Sequence, residues 1–250
     1  MDKSFFLNKI NVITGGFGSG KSEYAINLAL SLAALNSPVT LVDLDLVNAY
    51  FRSREAIEIL NRHNIKVVIP PKEIVFSDLP IAGPGIRDLI ISPPASLILD
   101  VGGDDTGAIA LSAYRRELNN AAVNGLMVIN PFRPFTADIE QIRAMKENIE
   151  MNSGVSITAI VSNPNLGSGT PPDLIMLKHL VVEKAARELG LPLVEMLIHH
   201  EVFHRAPQAF TQLKVPVRLI NIFLSPAWLL QQQKEAHERI VPSKLSGTTM

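Results

Sequence analysis

Gly15-Gly16-Phe17-Gly18-Ser19-Gly20-Lys21-Ser22 fits the pattern Gly-x4-Gly-Lys-Ser/Thr at every fixed position, and the rest of the chain is read outward from it. Glycines let successive backbone N–H groups curl around a phosphate, the lysine reaches the β- and γ-phosphates, and the following hydroxyl can sit on Mg²⁺. Gly15, Gly16, Phe17, Gly18, Ser19 and Gly20 are therefore candidates for a phosphate cradle, with Lys21 and Ser22 at its charged and metal-facing end. The flanks agree with that reading. Ile10-Asn11-Val12-Ile13-Thr14 is a β-branched run directly before the loop, and Ser22 to Leu32 carries helix formers without a breaker. A buried strand thus feeds a helix whose positive end faces the anion.

Beyond the loop, short apolar runs alternate with helical stretches, the pattern of a parallel sheet covered on both faces. Strands are predicted at about 10–14, 38–43, 65–69, 95–101, 125–130, 156–162, 192–198 and 215–220. Helices are predicted at about 20–35, 51–62, 106–121, 136–150, 173–189 and 223–239. Pro70-Pro71, Pro80, Gly83-Pro84-Gly85 and Pro93-Pro94 cut residues 70–94 into pieces, leaving a short helix around Gly85–Ile91 and a candidate lid or partner-facing crossover. The expected architecture is α/β: three α/β/α layers around a mostly parallel sheet of seven to eight strands. One domain spans 1–242, and 243–250 is a flexible tail.

A chain of 250 residues, 47% hydrophobic and 19% charged, can bury a large core. Its net charge of −1 gives no general pull toward nucleic acid. The absence of cysteine removes disulfides and thiolate metal sites. Met1–Lys9 is too briefly apolar for a secretory signal and no run of about 18 apolar residues occurs, so a soluble cytoplasmic protein is expected.

Two further strand ends carry acids. In Leu41-Val42-Asp43-Leu44-Asp45, strand spacing points Asp43 and Asp45 to the same side, at the end of the sheet where ligands of open α/β folds sit. Such a carboxylate can hold a Mg²⁺-bound water or orient an attacking one, although Asp43 could instead cap the following turn. Leu97-Ile98-Leu99-Asp100-Val101-Gly102-Gly103 is a hydrophobic strand ending in an acid and two glycines. In this reading Asp100 binds Mg²⁺ through a water, and the Gly103 N–H contacts the γ-phosphate.

The order of glycine-rich loop, Asp-x-Asp after the second strand and Asp-x-Gly-Gly after the fourth resembles the MinD/ParA/CobQ-like branch of P-loop NTPases across nearly the whole chain. The resemblance implies an Mg²⁺-dependent ATPase that switches a partner protein and is slow without it. Lys21, Asp45 and Asp100 are then the catalytic residues, and Ser22, Asp43, Asp45 and Asp100 are the residues around the metal. ATP or ADP is the implied ligand, and a homodimer is one implied assembly. Many members carry a lysine at the second loop position where this chain has Gly16, so the usual inter-subunit lysine is not implied. Loops of this form also resemble those of small-molecule kinases and GTP-dependent metallochaperones, which are the alternative readings.

ATP is preferred because no Asn-Lys-x-Asp signature for guanine occurs; Asn163-Pro164-Asn165-Leu166 departs from it twice. By resemblance Asn163 contacts the base, while Asn130 either does so or caps its own loop. His200-Glu201-Val202-Phe203-His204 matches His-Glu-x-x-His, a zinc spacing that would still need a third ligand; the competing reading is a polar strand-to-helix loop in which His199 or His200 touches the base. Arg52, Arg54, Arg115, Arg116 and Arg133 lie near strand ends or helix starts, where a phosphate, a partner or plain solvent are all open. Nothing in the sequence argues for a membrane or nucleic-acid partner.

Overall fold

The computed structural model describes residues 5–7, 9–45, 54–69, 85–103 and 105–224. The chain order is β1 (Ile10–Thr14), α1 (Lys21–Ala33), β2 (Val39–Leu44), α2 (Arg54–Arg62), β3 (Lys66–Val68), α3 (Ile86–Ile91), β4 (Ser96–Val101), α4 (Asp105–Ser112), α5 (Arg115–Leu118) and β5 (Val123–Ile129). Next come α6 (Ile139–Ser153), β6 (Ala159–Ser162), α7 (Pro172–Glu188), β7 (Leu193–His199), α8 (His200–Arg205), a 3₁₀ turn (Pro207–Phe210) and β8 (Val217–Ile220). The strands form one eight-stranded sheet ordered β3-β2-β4-β1-β5-β6-β7-β8, and every pairing is parallel.

Alternation along the strands makes the three layers. In β4, Leu97, Leu99 and Val101 pack under α3, α4 and α5, whereas Ile98 points to the opposite face with α1 and α2. In β5, Met127 and Ile129 pack against α6 and α7, while Leu126 and Val128 join the α1 side. Each fully buried aliphatic chain contributes about 1.5–3 kcal/mol relative to exposure, so these rows hold the sheet between its helices. The caps fix where the helices start and stop. Asp138 accepts from the Gln141 N–H at 2.9 Å to open α6, and Gly154, in the left-handed region at φ 68°, closes it.

All eight strands fall where the sequence predicts them. The stretch 106–121 does not form one helix: it breaks between α4 and α5, where Tyr114 turns its ring into the core at φ −112° and ψ 8°. The helix α8 begins as β7 ends, over the His200–His204 stretch whose His-Glu-x-x-His spacing presupposes a helix. Helix 223–239, the segments 46–53 and 70–84, and the tail 243–250 fall almost wholly or wholly outside the described residues. No helix among the described residues is long and apolar enough to cross a membrane.

One buried ionic cluster ties α1 to the far strands. Glu195 on β7 is fully buried and accepts from Arg218 Nε of β8 at 3.0 and 2.9 Å, and from the Tyr24 hydroxyl. Burial, then the neighbouring Glu195 charge, pushes the Tyr24 phenol well above its usual range, so it stays a donor. The helix that leaves the glycine-rich loop is thereby fastened three strands away, across β5 and β6, to β7 and β8.

Candidate functional site

The helices following β1 and β4 cover opposite faces of the sheet, so a crevice opens at the carboxyl ends of these adjacent strands. The glycine-rich loop fills one wall of it. Gly15, Gly18 and Gly20 have φ of 137°, 70° and 92°, a left-handed region that a side chain resists. A Cβ on Gly15 would lie 2.3 Å from the Val128 carbonyl oxygen, so the loop leaves β1 pressed against β5. Gly20 then serves as the N-cap of α1 with no side chain of its own, leaving first-turn N–H groups directed into the crevice.

Lys21 is buried, and its Nζ donates to the Gly16 carbonyl at 3.2 Å. The end of β4 comes directly against it: a methyl group at Gly103 would sit 2.6 Å from Lys21 Nζ and 2.9 Å from the Phe17 nitrogen. Asp100 is paired in register with Ile13 of β1 on one side and with Asp43 of β2 on the other. The three acids Asp43, Asp45 and Asp100 are all buried beside the loop. Asp43 Oδ1 accepts from the Asp45 N–H at 2.9 Å, so the turn-capping role open to Asp43 is realised.

Asp100 carries a marked electrostatic anomaly. The group is wholly buried, and its two oxygens lack well-formed hydrogen bonds although the Ser22 hydroxyl lies beside them. Burial pushes its pKa up to about 7; the nearby Ser22 hydroxyl and Lys21 ammonium pull it down, and Asp45 pushes it further up. The donors Ser22, Asp45 and Asp100 are all hard oxygens, which suits Mg²⁺. The described residues contain no group of three or more His, Asp or Glu side chains set to hold a metal, so an ion here would complete its shell from phosphate and water.

A cavity of about 410 Å³ continues from the loop across the ends of β5 to β8, with Asn130, Asn163, His199, Glu201 and Asn221 on its walls. A second, of about 290 Å³, lies over Phe17, Lys21, Ser22 and Asp45. Asn163 is buried and donates from Nδ2 to the Ser19 carbonyl at 2.7 Å, which clamps the loop to β6; its Oδ1 is buried without a partner. Asn130 caps its own loop, accepting from the Phe132 N–H at 3.1 Å and donating to the Asn165 carbonyl at 2.8 Å. His199 opens α8 by accepting from the Glu201 N–H at 3.2 Å, and stacks on His200 at 4.9 Å between ring centroids. His200 and His204 meet edge to face at 6.3 Å as part of the same short helix.

Glu23 escaped the sequence reading. It lines both cavities from the first turn of α1 and accepts from the N–H groups of Phe223 and Leu224 at 2.7–3.1 Å, fixing the chain after β8 to the site. Burial pushes its pKa up to about 7 despite those two donors. An acid in the first turn of a helix that faces a phosphate loop is the signal that was available in the sequence.

No protein-family model matches the chain, and no curated protein is similar enough to count as a relative. Solved structures do match. The cell division protein FtsY of Thermotoga maritima superposes with a TM-score of 0.54 at 18% identity, over 78% of this chain and 65% of that one. Chloroplast FtsY of Physcomitrella patens gives 0.51 at 15%, over 75% and 57%. A nucleotide-binding protein of Archaeoglobus fulgidus, solved in complex with ADP, gives 0.51 at 17%, over 81% and 86%. This is the P-loop NTPase fold. The chain spans less than two-thirds of the FtsY chains and most of the archaeal one. In that fold Gly15–Ser22 follows the first strand, and Asp100 stands near the end of the adjacent β4.

Proposed function

We propose that this P-loop NTPase binds Mg²⁺-ATP and hydrolyses it slowly, with the ends of β2 and β4 changing their contacts as the γ-phosphate leaves and so switching a protein partner. The observation that carries the reading is Asp100: a fully buried carboxylate whose two oxygens lack well-formed hydrogen bonds and whose compensation comes from the Ser22 hydroxyl and Lys21 beside it. Removing such a group from water with so little compensation is costly, and a cation relieves that cost. Mg²⁺ would neutralise charge on the phosphates, held by Ser22 and, through water, by Asp100. Asp45 orients the attacking water, Asp43 shapes the turn that presents Asp45, and the Gly103 N–H reads the γ-phosphate. Asn163 orders the loop and offers its remaining Oδ1 toward the base.

The Asp-x-Asp and Asp-x-Gly-Gly strand ends support the MinD/ParA/CobQ-like branch, and with it a cytoplasmic switch and a possible homodimer. The space beside Gly16 is filled by Met145, whose Cε lies 2.8 Å from where a Cβ would stand, so the proposal includes no lysine reaching across a dimer from that position. GTP is a second reading because Glu201 lines the larger cavity, and a carboxylate is what the N–H edge of guanine needs. A panel of ATP, ADP, GTP and GDP with and without Mg²⁺ decides between them. Asp45→Ala is expected to keep ATP affinity within about threefold and to lower hydrolysis about 10²-fold or more. Unchanged hydrolysis would remove Asp45 from the water-orienting role, and phosphate transfer that depends on an added small acceptor would favour a kinase instead.

A further inference from the structure

The two cavities share four wall residues, Gly18, Gly20, Glu23 and Arg133, so a nucleotide that spans both passes along a wall that carries Arg133. Among the described residues, Lys21 and Arg133 are the lysine and arginine side chains on these walls, against carboxylates at Glu23, Asp45 and Glu201. A polyphosphate entering that field is attracted at two points, not one.

Arg133 is held in place rather than merely nearby. Its Nε donates to the Gly18 carbonyl at 3.2 Å, which leaves the two terminal nitrogens of the guanidinium for other acceptors. A Cβ on Gly18 would lie 2.9 Å from Arg133 Nε, so the glycine admits the side chain against the loop. The carrier segment, which leaves β5, is tied at several points: the Arg133 N–H donates to the Asn130 carbonyl at 3.0 Å, and the Thr136 hydroxyl to the same carbonyl at 2.7 Å.

Building on the nucleotide-binding reading above, we propose that Arg133 is a phosphate-binding residue acting within the same chain, bridging the glycine-rich loop to the phosphates that join the nucleoside to the γ-position. Its bond to Gly18 orders the loop, and its terminal nitrogens take the bridging phosphates. Lys21 then handles the β/γ end and Arg133 the entry to it.

The test is equilibrium binding of ADP, or of GDP where the panel favours guanine, to wild type, Arg133→Ala and Arg133→Lys at two salt concentrations, with the parent nucleoside measured alongside. Arg133→Ala is expected to weaken the diphosphate about 10- to 100-fold and to flatten its salt dependence, with the nucleoside bound as before. Arg133→Lys should recover part of the loss. Equal diphosphate affinity and salt dependence in Arg133→Ala, or an equal loss for the nucleoside, would overturn the assignment. A wild type that binds no nucleotide would instead overturn the functional reading on which it rests.

Discussion

Asp100 shows how a site residue differs from a core residue. Its neighbours on β4 gain stability by burial, whereas its own carboxylate is buried beside Asp43 and Asp45 and its pKa rises from 3.8 to about 7. Between those values the folded chain keeps a proton that the unfolded chain has lost, so stability falls as pH rises from about 4 to about 7, and the full cost is present at pH 8. Glu23, raised from 4.5 to about 7, acts in the same direction. In nucleotide-free, EDTA-treated protein, Asp100→Asn is therefore expected to raise unfolding stability by about 1–3 kcal/mol at pH 8, a gain that shrinks by pH 5. Urea unfolding at the two pH values measures this; a variant less stable than wild type at pH 8 would show that Asp100 is compensated within the ligand-free fold.

At the scale of elements, the glycine-rich loop is positioned by its neighbours as much as by its own glycines: β5 presses on Gly15, β4 brings Gly103 against Lys21, and β6 supplies Asn163. The Asn163 bond to the Ser19 carbonyl is internal to the fold, so Asn163→Ala should lower ligand-free stability by about 1–2 kcal/mol as well as weaken nucleotide binding. A residue that touched only the base would leave the ligand-free melting temperature unchanged, and differential scanning calorimetry separates the two. The strands were legible because buried parallel strands read as continuous β-branched runs, and the loop because its spacing is fixed by phosphate chemistry. The break at Tyr114 was not, since helix formers continue through it and tertiary packing of the ring decides the geometry. The clamp made by Asn163 was hidden for a similar reason: sequence order marked it as a strand-end residue facing the base, and only the fold brings it within 2.7 Å of Ser19.

Across the whole molecule, one parallel sheet gathers three acids, one lysine and one arginine from β1, β2, β4 and β5 onto a single rim, and the Tyr24–Glu195–Arg218 cluster anchors the helix that carries Lys21 to the distant edge. Lys21, Asp45 and Asp100 could be read from the sequence because each ends or follows a recognisable strand. Glu23 carried a first-turn signal that went unused, and Arg133 stood as one of five arginines until the wall shared by both cavities set it apart. The most direct measurement is calorimetric titration of Mg²⁺-ATP into wild type and Lys21→Ala. The expected result is saturable one-site binding by wild type, Mg²⁺-dependent and weakened about 10- to 100-fold by the substitution. Binding of equal strength by Lys21→Ala, or none of ATP or GTP by wild type, would contradict a nucleotide site at this loop.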